Sequence, residues 1–77
     1  MEKIIEEIYD KIHDFGMKSG GAYPMILTLN REHRIEILKM SDYLQYVTMD
    51  YQGGREPKTI MGMMYEIKGD ITEISVR

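Results

Sequence analysis

Two histidines, His13 and His33, are the only side chains here that change charge near neutrality without help from their surroundings. Each has an acid nearby in sequence, Asp10 and Asp14 for His13 and Glu32 for His33. Either could serve acid–base chemistry only if the fold closed a pocket around the pair. No His-x-x-x-His spacing occurs, and the chain has no cysteine. Thiolate chemistry and disulfides are therefore excluded, and no local His, Cys or acid spacing matches a metal site. Ser19, Ser41 and Ser75 have no histidine motif beside them, so nothing marks a serine nucleophile. Gly20-Gly21 and Gly53-Gly54 do not read as phosphate loops. Such a loop follows a strand and ends in Lys-Ser or Lys-Thr, whereas Lys18-Ser19 precedes its glycines and follows a helix. The sequence predicts no catalytic, cofactor-binding or metal-ligating residue and hence no enzyme. The rival reading is a small enzyme using His13 or His33 with a nearby acid.

Charge narrows the partners. The chain has 77 residues, a net charge of -3 and a pI near 5.3. Affinity for nucleic acid comes largely from neutralised phosphates, and an acidic domain offers them little long-range attraction. The available basic groups are Lys18, Arg31, Arg34 and Lys39, or Arg55 and Lys58. Both sets have glutamates among or beside them and read as solvated surface. A nucleic-acid-associated regulator built on the first set is a second alternative. The longest apolar run is far short of the roughly 20 residues that span a bilayer. Met1–Glu7 is acidic and amphipathic, unlike a secretory leader. These features predict a cytoplasmic protein with no membrane partner.

One domain accounts for residues 1–77. Ile4, Ile5, Ile8, Ile12 and Phe15 recur at spacings of three and four, which predicts a helix over 2–15 with Gly16 as its C-cap. Glu7 and Lys11 are placed to pair along it. Lys18–Gly21 is a turn, and Pro24 pushes Tyr23 toward extended backbone. Met25–Leu29 then reads as a central strand, apolar on both faces. Asn30 is a candidate helix cap, with Glu32 in the favourable first turn. Residues 31–45 read as a helix whose face holds Ile37, Leu38, Ser41 and Leu44. A strand over 34–38 is the alternative, because β-branched residues alternate there. Residues 46–51 alternate like a short edge strand, and 52–58 form a polar loop. Thr59–Ile67 and Ile71–Val76, joined by Lys68-Gly69-Asp70, read as a terminal hairpin. The fold expected is α+β in the order α-β-α-(β)-β-β. Two helices pack on one face of a small, mostly antiparallel sheet of three or four strands.

Tyrosine and methionine are in surplus, with six Tyr and eight Met. Tyr43, Tyr46, Met49 and Tyr51 crowd into nine residues, and Met61 and Met63 flank Gly62. Both residue types are enriched at interface centres, and both also fill small cores. These six residues are the candidate protein-interface set.

The Pro24-Met25-Ile26-Leu27-Thr28-Leu29-Asn30 entry into a helix and the late Ile60-Met61-Gly62-Met63 run resemble small mixed α/β proteins encoded by bacteriophages and prophages. The resemblance covers residues 22–67. It implies action by binding host or phage proteins, in some cases blocking host defence, in the host cytoplasm. From the residues themselves, a chain this short buries about 60% of its unfolded surface and has no covalent staple. A non-enzymatic binding or assembly domain follows as the expected function. Its expected partners are copies of itself, another protein, or both, and no cofactor.

Overall fold

The structure, a computed structural model, describes residues 3–49 and 57–77. Helix α1 spans Lys3–Lys18. Ile4, Ile5 and Ile8 are buried on one face, and Ile12 packs at the margin of the core. The helix runs through Gly16, and its cap lies further on. Gly20 takes a left-handed φ of 73° and Gly21 N–H donates to Gly16 O at 2.7 Å. That six-to-one bond is the Schellman arrangement, with Gly20 at the position where a side chain would strain the backbone. The cap predicted at Gly16 is thus displaced by four residues. Lys11 reaches across to Glu73 at 2.6 Å and pins α1 to the segment preceding the last strand.

Helix α2, Arg31–Leu38, settles residues 34–38 as helix. Its start is closed reciprocally. Asn30 Oδ1 accepts from His33 N–H at 2.8 Å, and Asn30 N–H donates to His33 Nδ1 at 3.2 Å. The imidazole stands where a capping box ordinarily has Glu or Gln. The helix predicted to reach residue 45 stops at Leu38. Met40 N–H turns back to Ile37 O, and a single 3-10 turn follows at Tyr43–Gln45. Ser41 and Asp42 lie at the break, where short polar side chains favour turns over helix. Leu44, assigned to the apolar face of a longer helix, is consequently exposed.

Five short strands form two sheets. They are β1 (Ile26–Leu29), β2 (Val47–Met49), β3 (Pro57–Ile60), β4 (Met64–Ile67) and β5 (Ser75–Val76). One sheet has the order β4-β1-β5 and the other is the pair β2-β3. Two of the three pairings are antiparallel; β1 and β4 run parallel, with Ile26 opposite Met64 and Leu29 opposite Ile67. The order of elements agrees with the α+β expectation, but one sheet of three or four strands is replaced by two. Of the predicted 46–51 strand, Val47–Met49 is observed, and Asp50 and Tyr51 lie outside the described residues. Pro57 begins β3, a position where its missing N–H removes nothing from the ladder.

The predicted terminal hairpin does not form. Strand β1 lies between its two arms, with Leu27 paired to Tyr65 on one side and to Val76 on the other. The connection from 68 to 74 is long enough to step over an intervening strand, a distance of about 10 Å for two strand spacings. The most apolar strand thereby becomes central, which leaves Leu27 and Leu29 fully buried. They join Ile4, Ile5, Ile8 and Ile37 from the helices in the core.

The run expected to be continuous strand, Thr59–Ile67, is broken at its glycine. Met61 has φ 52° and Gly62 φ 81°. Ile60 and Met63 exchange both backbone hydrogen bonds at 2.9 Å. Positive φ at both central residues makes this a two-residue turn of type I′. Gly62 belongs to a corner at which the chain passes from the second sheet to the first.

Candidate functional site

The three-stranded sheet has one face turned to the core and a second face that is exposed at Met64, Ser75 and Arg77 and buried at Thr28. Alternation sends Leu27, Leu29 and Ile67 inward. On the other face Met64, Ile26 and Arg77 form one row, and Glu66, Thr28 and Ser75 form the next. Met64 is 68% exposed, and Ser75 and Arg77 are exposed as well. Strand β1 was expected to be covered on both sides. Thr28 on this second side is 5% exposed, in keeping with that expectation, and Ile26 is half-buried. Thr28 Oγ1 donates to Glu66 Oε1 at 2.8 Å, and Arg77 Nη2 donates to the same oxygen at 3.2 Å. Lys68 Nζ stands 3.9 Å from it. The Thr28 hydroxyl, with Arg77 and Lys68 adding their charge, holds the Glu66 carboxyl below its ordinary value.

Beside this face sits an apolar cluster. Met25 is 76% exposed and Tyr23 54% exposed, with buried Pro24 between them. Met64 N–H donates to Met25 O at 3.0 Å, which sets their backbones side by side. Tyr23 Oη donates to Met61 O at 2.6 Å, and partial desolvation raises its phenol pKa. Met61 N–H in turn donates to Tyr46 O. Backbone and side-chain hydrogen bonds thus tie Tyr23, Met61 and Tyr46 into one group, with Met64 and Met25 alongside.

The six interface candidates are placed as follows. Tyr43, Tyr46, Met49 and Met61 are half-buried and lean on the core. Met63 is fully buried and its side chain belongs to the core itself. Tyr51 lies outside the described residues. The structure brings Tyr46 and Met61 together. It also adds Tyr23, Met25 and Met64, which sequence reasoning passed over. Tyr23 and Met25 flank a proline that alone faces inward, and that alternation was the available signal.

The remaining candidates lie elsewhere. His13 is exposed on α1 and borders a shallow groove of about 480 Å3 with Met17 and Tyr23; no carboxylate lines it. His33 is engaged through Nδ1 in the α2 cap. Lys18 ends α1, whereas Arg31, Arg34 and Lys39 lie on or next to α2. Arg31 and Arg34 border a groove of about 860 Å3 together with Ile35, Ile67 and Ile71. Among the described residues no group of three or more His, Cys, Asp or Glu is placed to hold a metal ion. No helix among them is long and apolar enough to cross a membrane.

The described residues define a small α+β domain with exposed methionine and tyrosine side chains, Tyr23, Met25 and Met64, on and beside its three-stranded sheet. Compared with protein-family models, curated proteins and solved structures, the chain matches none.

Proposed function

We propose that this chain is a non-enzymatic protein-binding domain that assembles with copies of itself. The observation that carries the reading is the exposure of Tyr23, Met25 and Met64, all large, apolar in body and more than half exposed. Taking about 200 Å2 for a large side chain, the three together expose roughly 400 Å2. Where such side chains adjoin, a patch of a few hundred Å2 is often functional. Tyr46 and Met61 extend the patch, and Tyr43 and Met49 support it from the side facing the core.

Self-association suits the rest of the chain. The core has eleven buried hydrophobic residues among those described, and no disulfide reinforces it. Domains of this size commonly gain stability from a second subunit. Hiding these side chains on both copies removes about 800 Å2, below the roughly 1,200–2,000 Å2 of stable specific interfaces and in keeping with a weak, transient contact. The assembly is therefore expected to be reversible and micromolar, not obligate.

Light scattering coupled to size exclusion, run from low to high micromolar protein, tests the reading. The mass is expected to rise toward that of a dimer, and Met64→Lys is expected to keep the folded chain monomeric. A single-chain mass throughout that range would end the self-association reading. The resemblance to phage-encoded proteins supports, within this proposal, a setting in a host cytoplasm and a host or phage protein as a further partner. The genes flanking the coding sequence test that part.

A further inference from the structure

Helix α1 ends over an apolar groove of about 480 Å3. Ile12, Gly16, Met17, Ala22 and Tyr23 line it, with His13 alongside. It stands open because the turn that closes α1 has no side chains to fill it; a Cβ on Gly20 or Gly21 would meet nothing within 4 Å. The backbone polar groups of that turn are already engaged. Gly21 N–H donates to Gly16 O, and Ser19 N–H donates to Phe15 O. Tyr23 Oη is directed to Met61 O. Among the described residues no carboxylate, ammonium or guanidinium lines the groove. A surface of this kind selects an uncharged, apolar occupant.

Two large side chains of α1 stand beside it. Met17 is 75% exposed. Tyr9, which adds to the desolvation that raises the Tyr23 phenol, is 46% exposed. Tyr23 belongs both to the groove and to the exposed set it forms with Met25 and Met64. That set alone leaves a dimer short of the usual contact area. With Met17 and Tyr9 added, the five side chains expose about 600 Å2 per copy and about 1,300 Å2 for two. That total falls inside the range of standard interfaces. A two-fold contact sets one patch against itself, so the side chain brought to the groove comes from the groove's own rim.

We propose that two copies of this chain meet across the groove, with Met17 of each lying in the groove of the other against Tyr23. This rests on the self-association reading above and extends its contact from the sheet margin to the end of α1. Methionine suits the seat because it is unbranched, flexible and uncharged, and its sulfur is weakly attracted to an aromatic ring. Tyr9 carries a hydroxyl that would lose its water in the groove, and it covers the edge instead.

Sedimentation equilibrium on three variants tests this. Met17→Lys puts a charge on the apolar knob, and a lysine near a helix C-terminus is well tolerated in the lone chain. Ala22→Trp fills the groove from within its own chain. Each is expected to weaken association by about tenfold or more. Ile35→Lys, at an exposed site on α2 that borders a different groove, is expected to associate like wild type. If either groove variant, once folded, associates like wild type, the proposal is overturned and the groove is left to a different partner. An equal loss from Ile35→Lys would overturn it too. If a variant fails to fold, the wild-type chain still decides. With isotope-labelled methionine methyl groups, the Met17 signal should move on dilution from high to low micromolar, while those of buried Met40 and Met63 stay in place. An unmoved Met17 signal in a chain that does associate would refute the contact. A wild-type chain that never associates would instead defeat the underlying reading.

Discussion

Replacing Gly62 with alanine separates the turn seen here from the continuous strand that the sequence favours. An added Cβ at Gly62 meets nothing within 4 Å, so no neighbour resists the methyl group. The cost is confined to the backbone. At φ 81° a side chain crowds its own carbonyl, a penalty of about 1–2 kcal/mol. The stiffer unfolded chain returns about 0.4–1 kcal/mol, which leaves a net loss near 1 kcal/mol. Gly16→Ala is the matched control. Gly16 sits inside α1, and its Cβ would lie 3.7 Å from Ala22 O, an ordinary contact. There alanine should stabilise by about 0.5–1 kcal/mol. One substitution thus carries opposite signs at two sites. In a domain this small 1 kcal/mol moves Tm by about 4–8 °C. Calorimetry at one fixed protein concentration reads both, since association makes Tm concentration-dependent. A Gly62→Ala chain as stable as wild type would refute the Met61–Gly62 turn and revive a strand running through it.

Three further outcomes follow from the packing. Asn30→Ala removes the α2 cap together with the Asn30 Nδ2 bond to Ile71 O at 3.1 Å. It should cost about 1–2 kcal/mol in urea unfolding, and no change would mean that α2 is capped differently. Ile8→Ala empties a fully buried site at a cost of about 2–5 kcal/mol. That is a large part of the total stability of a small domain, so the chain should lose cooperative unfolding at 37 °C; a sharp, near-wild-type transition would contradict the core assignment. The Glu66 and Glu73 carboxyls both lie below the ordinary value of 4.5, held by hydrogen bonds from Thr28 and Lys11 respectively. Lowered folded values stabilise the protein above the unfolded pKa, and this contribution disappears as pH falls through the folded value. Glu66→Gln should therefore flatten the decline of Tm on acidification between about pH 5 and pH 3; a decline as steep as wild type would show that Glu66 is not so held.

Local signals in the sequence were legible wherever local physics decides. The isoleucine period located α1, and Asn30 announced α2. Pro24 and the Met25–Leu29 run located β1 to within a residue. Pairing between distant strands was not legible. The 59–67 and 71–76 runs satisfy a hairpin pattern by themselves. Only the gain from burying Leu27 and Leu29 in the middle explains why β1 separates them. The corner at Met61–Gly62 was hidden because a type I′ turn usually shows Asn or Asp before its glycine, and here methionine occupies that place. The candidate site was half legible. Tyr46 and Met61 were identified from composition. The nearness of Met25 to Met64 along the backbone comes only through the β1–β4 register, which no local pattern encodes.

The placement of β1 between β4 and β5 has a consequence for biosynthesis. Its partners come 38 residues later on one side and 49 on the other, judged by Ile26 with Met64 and Leu27 with Val76. While the ribosome still shelters residues 75–77, Leu27 and Leu29 have a neighbour on at most one flank, and Lys11 still waits for Glu73 to be anchored in place. The nascent chain must carry its oiliest strand without its full set of neighbours until Val76 has been made. A stall between residues 67 and 75 would hold Leu27 and Leu29 in that exposed, adhesive form.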